Sequence, residues 1–183
     1  MLVLVVGPSG AGKDSLLDGA RRALAGDGRF RFVRRVITRP ADAGGEAHEA
    51  VDDAEFDARL KAGGFALHWG AHGLRYGIPP DIADDIAAGR VVIANVSRGV
   101  IDAARATFPT RVIVITAPLA VLARRLAARG RESAADIAER LSRAAPDPSG
   151  PDVDVVMNDA TLDEGVARFV AALSRAAGDA PRL

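Results

Sequence analysis

The stretch Gly7-Pro8-Ser9-Gly10-Ala11-Gly12-Lys13-Asp14-Ser15 constrains this chain more than any other. It has the spacing G-x-x-x-x-G-K and joins two segments of different periodicity. Leu2–Val6 before it is an unbroken apolar run, which predicts a short strand buried on both faces. Residues 14–24 after it carry apolar side chains at 16, 17, 20, 23 and 24, a helical spacing. A glycine-rich turn between strand and helix is the setting in which this motif cradles phosphate. The glycines let several backbone N–H groups point at one anion, and the helix N-terminus adds partial positive charge.

The chain has two lysines, Lys13 and Lys61, and uses arginine for its other cations. Lysine thus stands at the one place where a slim ammonium fits a phosphate cradle, and Lys13 can reach the β- and γ-phosphates of a nucleotide. Gly7, Pro8, Ser9, Gly10, Ala11, Gly12, Lys13, Asp14 and Ser15 form the expected nucleotide cradle. The Ser or Thr that usually follows the lysine is replaced by Asp14, with Ser15 next. Either can supply a hard oxygen to Mg²⁺, so metal binding is assigned to Asp14 or Ser15. The plain alternative is that Asp14 only caps the first helical turn.

With 183 residues, the length suits one α/β domain with inserts. Lys plus Arg equal Asp plus Glu at 24 each, so no general basic field attracts nucleic acid. Cysteine is absent, which excludes a disulfide framework, a thiol nucleophile and a Cys-based zinc site. The N-terminal apolar run is too short to span a membrane and lacks a signal-peptide layout. A cytoplasmic protein without a membrane partner is expected.

Further along, residues 30–37 alternate as one second strand, and 41–50 are turn-like. Asp52 and Glu55 form a capping pattern for a short helix, and Asp81 can cap another. Residues 38–89 therefore read as small pieces inserted between core strands at 1–37 and 90–177. Ser97 can cap a helix that faces the sheet. Pro118 opens a helix with Leu119, Leu122, Ala123 and Leu126 on its apolar face, and 134–143 forms another. A last strand near 154–157, a Thr161–Glu164 capping box and a helix striped by Val166, Phe169, Val170 and Leu173 complete the pattern. Residues 178–183 read as a frayed tail. Strand–helix alternation predicts a three-layer α/β fold, a parallel core sheet with helices on both faces. Trp69 reads as core.

Several segments resemble the guanylate-kinase-like group of nucleoside-monophosphate kinases. These are Thr38-Arg39-Pro40 with Gly45-Glu46, His72-Gly73-Leu74-Arg75-Tyr76-Gly77, Arg125 to Gly130 with Ile137 to Leu141, and Asn158-Asp159. The resemblance covers nearly the whole chain and implies an acceptor-binding insert at 38–89 and an Arg-rich lid near 129–136. It implies that Arg39 grips the acceptor phosphate and that Asn158 lies near the adenine and ribose. Arg125 and Arg129, four apart on one helix face, would converge on the transferring phosphoryl group, joined by Arg140. Arg140 also stands four after Asp136, a ready surface ion pair. Glu46, Arg75 and Tyr76 complete the implied acceptor site.

The departures from that group are as informative. No second Arg precedes Gly45-Glu46, no Tyr follows it, and Asn95 stands where an Asp usually ends the third core strand. Together with Gly12-Lys13-Asp14-Ser15 and Leu67-His68-Trp69, these features resemble the ribose 1,5-bisphosphate phosphokinases, guanylate-kinase relatives in phosphonate degradation. That resemblance implies ATP and Mg²⁺ as cofactors, and conversion of ribose 1,5-bisphosphate to 5-phosphoribosyl 1-diphosphate. Guanylate kinase activity on the same frame and a non-catalytic binding module remain open alternatives.

Overall fold

The computed structural model describes residues 1–43, 46–128 and 148–178. Its centre is a five-stranded sheet in the order β2-β7-β1-β8-β9. The strands are β1 (Leu2–Val6), β2 (Phe30–Phe32), β7 (Val91–Asn95), β8 (Thr110–Thr116) and β9 (Val153–Met157), and every pairing is parallel. All five side chains of β1 are fully buried, as an unbroken apolar run requires in a sheet covered on both sides.

Strand alternation sorts the core into two layers. Val3, Val5, Ile93, Ile113 and Ile115 face one side. There they meet α1 (Lys13–Ala23) through Leu16 and Ala20, and the C-terminal helix α6 (Leu162–Gly178) through Phe169 and Leu173. Leu2, Leu4, Val6, Val92, Ala94, Val112 and Val114 face the other side. They meet Ile82 of α3 (Ile82–Ala87), with Ile101 and Ala104 of α4 (Ile101–Thr107). Helix α5 (Leu119–Ala128) adds Leu122 to the first layer. No helix among the described residues is long and apolar enough to cross a membrane.

The insert forms its own four-stranded sheet in the order β4-β3-β6-β5. It comprises β3 (Val36–Ile37), β4 (Glu49–Ala50), β5 (Leu67–Ala71) and β6 (Leu74–Ile78). Strands β5 and β6 make a hairpin closed by His72 and Gly73, both in the left-handed region at φ 54 and 71. Two such residues make the turn type whose twist matches a hairpin. Helix α2 (Asp53–Lys61) covers the outer face, with Phe56 stacked on Phe65 at 4.6 Å.

The predicted single strand over 30–37 is in fact two strands in two sheets. Val33 N–H still bonds Ile93 O, and then the chain crosses to the insert. Apolar side chains are buried on both sides of the crossing, so the alternation continues through it and conceals it. Part of the predicted turn at 41–50 is strand β4, paired in parallel with β3. Neither Asp81 nor Ser97 makes a side-chain cap; Asp81 is drawn instead into an ion pair with Arg31 at 2.6 Å. Asp52 does cap α2, accepting from Glu55 N–H at 2.7 Å. Gly178 belongs to α6 rather than to a tail. The predicted helix over 134–143 and the lid near 129–136 lie outside the described residues.

The Thr161 box at the start of α6 is complete. Glu164 N–H donates to Thr161 Oγ1 at 3.3 Å, and Thr161 N–H donates to Glu164 Oε2 at 3.0 Å. These bonds to Thr161 hold the Glu164 carboxyl below the usual carboxylate range. The box therefore contributes fully above the usual carboxylate range and is lost as the pH falls below it toward the lowered value. Thr161→Ala is expected to lower the melting temperature by about 2–4 °C at neutral pH, the loss typical of an N-cap. A thermal melt at pH 7 that matches wild type would remove the box from the account of α6.

Candidate active site

A cavity of about 530 Å³ opens where β1 and β7 end. Ligand sites in parallel sheets lie in this crevice, outside the carboxyl ends of the strands. One wall is the glycine loop, with Gly7, Gly12, Lys13, Asp14 and Ser15. The opposite wall comes from the insert, with Arg35, Trp69, His72 and Tyr76. Asn95 and Arg98 close the end beside β7.

The loop is shaped by close approach as much as by φ. A Cβ on Gly7 would lie 2.0 Å from the backbone oxygen of Ile115, and one on Gly12 would lie 2.6 Å from Asn158 Nδ2. Lys13 Nζ donates to Gly7 O at 2.8 Å and Pro8 O at 3.2 Å, so its ammonium is held over the loop. Arg125, from α5, comes to the back of the same loop. Its Nη1 is buried without a hydrogen-bond partner among the described residues, about 3.9 Å from a Cβ built on Gly12. A buried guanidinium N–H left unpaired beside a phosphate cradle is a donor in want of an anion. The neighbouring Arg124 is exposed, so the helix presents one arginine inward and one to solvent.

The donor set at the helix start suits magnesium. Asp14 and Ser15 both line the cavity, and Asn95 Nδ2 donates to Asp14 Oδ1 at 3.1 Å. An aspartate at 95 would oppose two carboxylates, whereas the amide orients one. A single carboxylate and a hydroxyl match an ion that keeps several waters and takes few protein ligands. Among the described residues no cluster of three His, Asp or Glu competes for this role.

Other expected site residues are placed differently. Arg75 does not reach the cavity. Tyr76 faces inward from β6, so strand alternation turns Arg75 outward, where it pairs with Asp57 at 2.8 Å and lies over Phe56. Asn158 is 4% exposed and does not line the cavity; its amide donates to Ala11 O at 2.7 Å. It braces the loop from behind. Glu46 also stays off the cavity wall and is paired with Arg35, with Nε to Oε2 at 3.1 Å. Trp69 is wall as well as core, stacked on Tyr76 at 5.2 Å. Gly45 of the acceptor motif, with Arg129 and Arg140, lies outside the described residues.

Arg39 is half-buried and does not line the cavity. Its partner is His48, 4% exposed, a structural histidine rather than a metal ligand. His48 Nε2 lies 3.0 Å from Arg39 O, and its Nδ1 lies 3.0 Å from Glu46 O and 3.2 Å from Arg39 Nη2, so the ring ties Arg39 to the turn before β4. Arg39 Nε is buried with no bond partner among the described residues, which leaves donor capacity for an anion. Sequence reasoning missed Arg35 and Arg98. The signal for Arg98 was available, since it stands three residues beyond a core strand end. Arg35 gave no such signal, because its place depends on the crossing between sheets.

No family model matches the chain. The chain is 52% identical to the ribose 1,5-bisphosphate phosphokinase PhnN of Acidiphilium cryptum, covering 95% of this chain and 92% of that protein. It is 55% identical over 94% of its length to a bifunctional ribose 1,5-bisphosphokinase-thymidine phosphorylase of Azorhizobium caulinodans, of which it spans only 25%. Among solved structures, a guanylate kinase from Anaplasma phagocytophilum superposes with a TM-score of 0.67 at 22% identity, over 96% of this chain and 85% of that one. That likeness establishes the fold, a guanylate-kinase-like α/β frame. By sequence, the chain belongs to the ribose 1,5-bisphosphate phosphokinase family.

Proposed function

We propose that the protein transfers the γ-phosphoryl group of ATP to the 1-phosphate of ribose 1,5-bisphosphate, giving 5-phosphoribosyl 1-diphosphate and ADP. The observation that carries this reading is a shared cavity in which the phosphate loop faces the insert. Donor and acceptor sites must share one such space for in-line transfer. A 1-phosphate oxygen attacks the γ-phosphorus, and the bond from that phosphorus to the β–γ bridging oxygen breaks. The attacking oxygen is already anionic near neutral pH, so no general base is needed. The difficulty is charge, because two highly negative molecules must meet.

The loop residues 7–15 hold the donor, with Lys13 on its β- and γ-phosphates. Mg²⁺, held through Asp14 and Ser15, neutralises phosphate charge when bound. Arg125 takes a phosphate oxygen beside Gly12. Arg129 and Arg140 are assigned to the same task on family resemblance. Arg39 takes the acceptor phosphate, with His48 fixing it, and Tyr76 donates its hydroxyl to the acceptor. The proposal is of a cytoplasmic enzyme without nucleic-acid or membrane partners, in keeping with its balanced charge.

The test offers ATP and Mg²⁺ with ribose 1,5-bisphosphate and GMP in parallel. The expected product is 5-phosphoribosyl 1-diphosphate, with GMP inert. GDP alone would replace the proposal with guanylate kinase activity. Neither product, with ATP still raising the melting temperature, would favour a binding module.

A further inference from the structure

Strand register puts one arginine, one tryptophan and one tyrosine on the same face of the insert. Ile37 pairs with Tyr76, and Trp69 pairs with Tyr76 across the hairpin. Arg35, two residues before Ile37, shares that face. The two rings are nearly parallel, at 5°, and the Arg35 guanidinium lies 5.0 Å from the Tyr76 centroid and 5.9 Å from that of Trp69. The Arg35 side chain is 11% exposed, and all three residues line the cavity.

The guanidinium is held at one edge. Nε and Nη2 face the Glu46 carboxylate, the fork-to-fork arrangement that fixes an arginine in plane. The aromatic pair fixes its tilt. Among the described residues nothing bonds Nη1 or the second N–H of Nη2, so these donors face the cavity for a ligand. Among the insert residues that line the cavity, Arg35 alone carries a fixed positive charge. Burial pushes its pKa down to about 10, with the charge of Asp14 acting in the opposite sense. It is therefore cationic at neutral pH.

We infer that Arg35 is a specificity-determining residue that binds a phosphate of the acceptor across the cavity from the glycine loop. The aromatic pair beneath it offers an apolar floor for the sugar, and Glu46 is a positioning residue that acts through Arg35. Arg39, which stands off the cavity wall, keeps the acceptor role expected from the T-R-P motif, and Arg35 is the insert arginine that lines the cavity itself. This inference rests on the proposed function and adds the residue that selects a sugar phosphate.

The test is steady-state kinetics of wild type, Arg35→Gln and Arg35→Lys, varying ribose 1,5-bisphosphate and ATP separately. Arg35→Gln is expected to raise the acceptor KM by about 30-fold or more, as loss of a charged partner does. The ATP KM should stay within about twofold of wild type. Arg35→Lys, which keeps the charge but not the fork, should give a rise of about tenfold. The stabilisation by ATP with Mg²⁺ should match wild type in both variants, which a merely structural role would not guarantee. An acceptor KM within threefold of wild type in Arg35→Gln, or equal increases in both KM values, overturns the inference. If Arg35→Gln does not fold, an unchanged acceptor KM in Arg35→Lys overturns it as well. Wild type that fails to turn over ribose 1,5-bisphosphate sinks the proposed function itself.

Discussion

Lys13→Ala is expected to cut turnover by about a thousandfold while the protein stays folded. Two considerations set that size. Removing a single donor from a charge-stabilising site costs 10²–10³ in rate, and Lys13 brings a full charge to the phosphates that carry the developing one. The same change is mild for the fold. Nζ donates to the carbonyls of Gly7 and Pro8, both half-buried at the edge of the cavity, where water can replace the ammonium. The measurement is a coupled ADP-release assay alongside a thermal melt. Turnover within tenfold of wild type, on a variant with unchanged melting, would mean the glycine loop does not hold the donor. Loss of both activity and fold would instead show that the lysine anchors the loop.

Gly7→Ala should show the reverse, a large loss of stability from the smallest possible addition. Gly7 has φ 149, a conformation L side chains rarely adopt, and the new methyl would lie 2.0 Å from Ile115 O and 3.0 Å from Ile115 C. The obstacle is the backbone of a buried strand near its end, so it cannot swing aside as a side-chain tip can. Relief requires moving the end of β1 away from β8 or rebuilding the loop. Backbone strain and overpacking each cost about 1–3 kcal/mol, so a combined loss of about 3–5 kcal/mol is expected. In a chain of this length that lowers the melting temperature by roughly 10 °C or more. Gly26 supplies the control, since a Cβ there meets nothing within 4 Å. Gly26→Ala should melt with wild type. Equal behaviour of the two variants would show that close packing at Gly7 is not what the loop depends on.

The comparison of Arg35 with Arg75 marks how far the sequence could be read. Both arginines belong to the acceptor side, and the sequence reading chose Arg75, which stands beside Tyr76 although the family has a Tyr there. In a strand, however, neighbours point to opposite faces, so the inward position of Tyr76 excludes Arg75. Placing Arg35 required knowing that the chain leaves one sheet after Val33 and enters another at Val36, and apolar alternation is silent on such a crossing. The glycine loop was legible because its function is written in local backbone chemistry, namely strand, tight turn, helix start and a single lysine. The parallel core was legible because β1, β7 and most of β8 are unbroken apolar runs. Asn158 shows the opposite limit. The resemblance set it near the nucleotide, and its amide bonds Ala11 O of the loop itself, a contact between residues 147 apart that no local pattern reveals.

That brace has a consequence for the order in which the chain becomes competent. Synthesis runs from the N-terminus, so the whole glycine loop leaves the ribosome before Asn158 does. A nascent chain of 150 residues carries the motif complete but lacks β9, the amide behind Ala11 and the helix whose Phe169 and Leu173 close the layer over α1. Its loop has the right residues and no backing. The brace and the layer over α1 are completed only when the last strand and helix dock, so the first motif to be made is among the last to be backed.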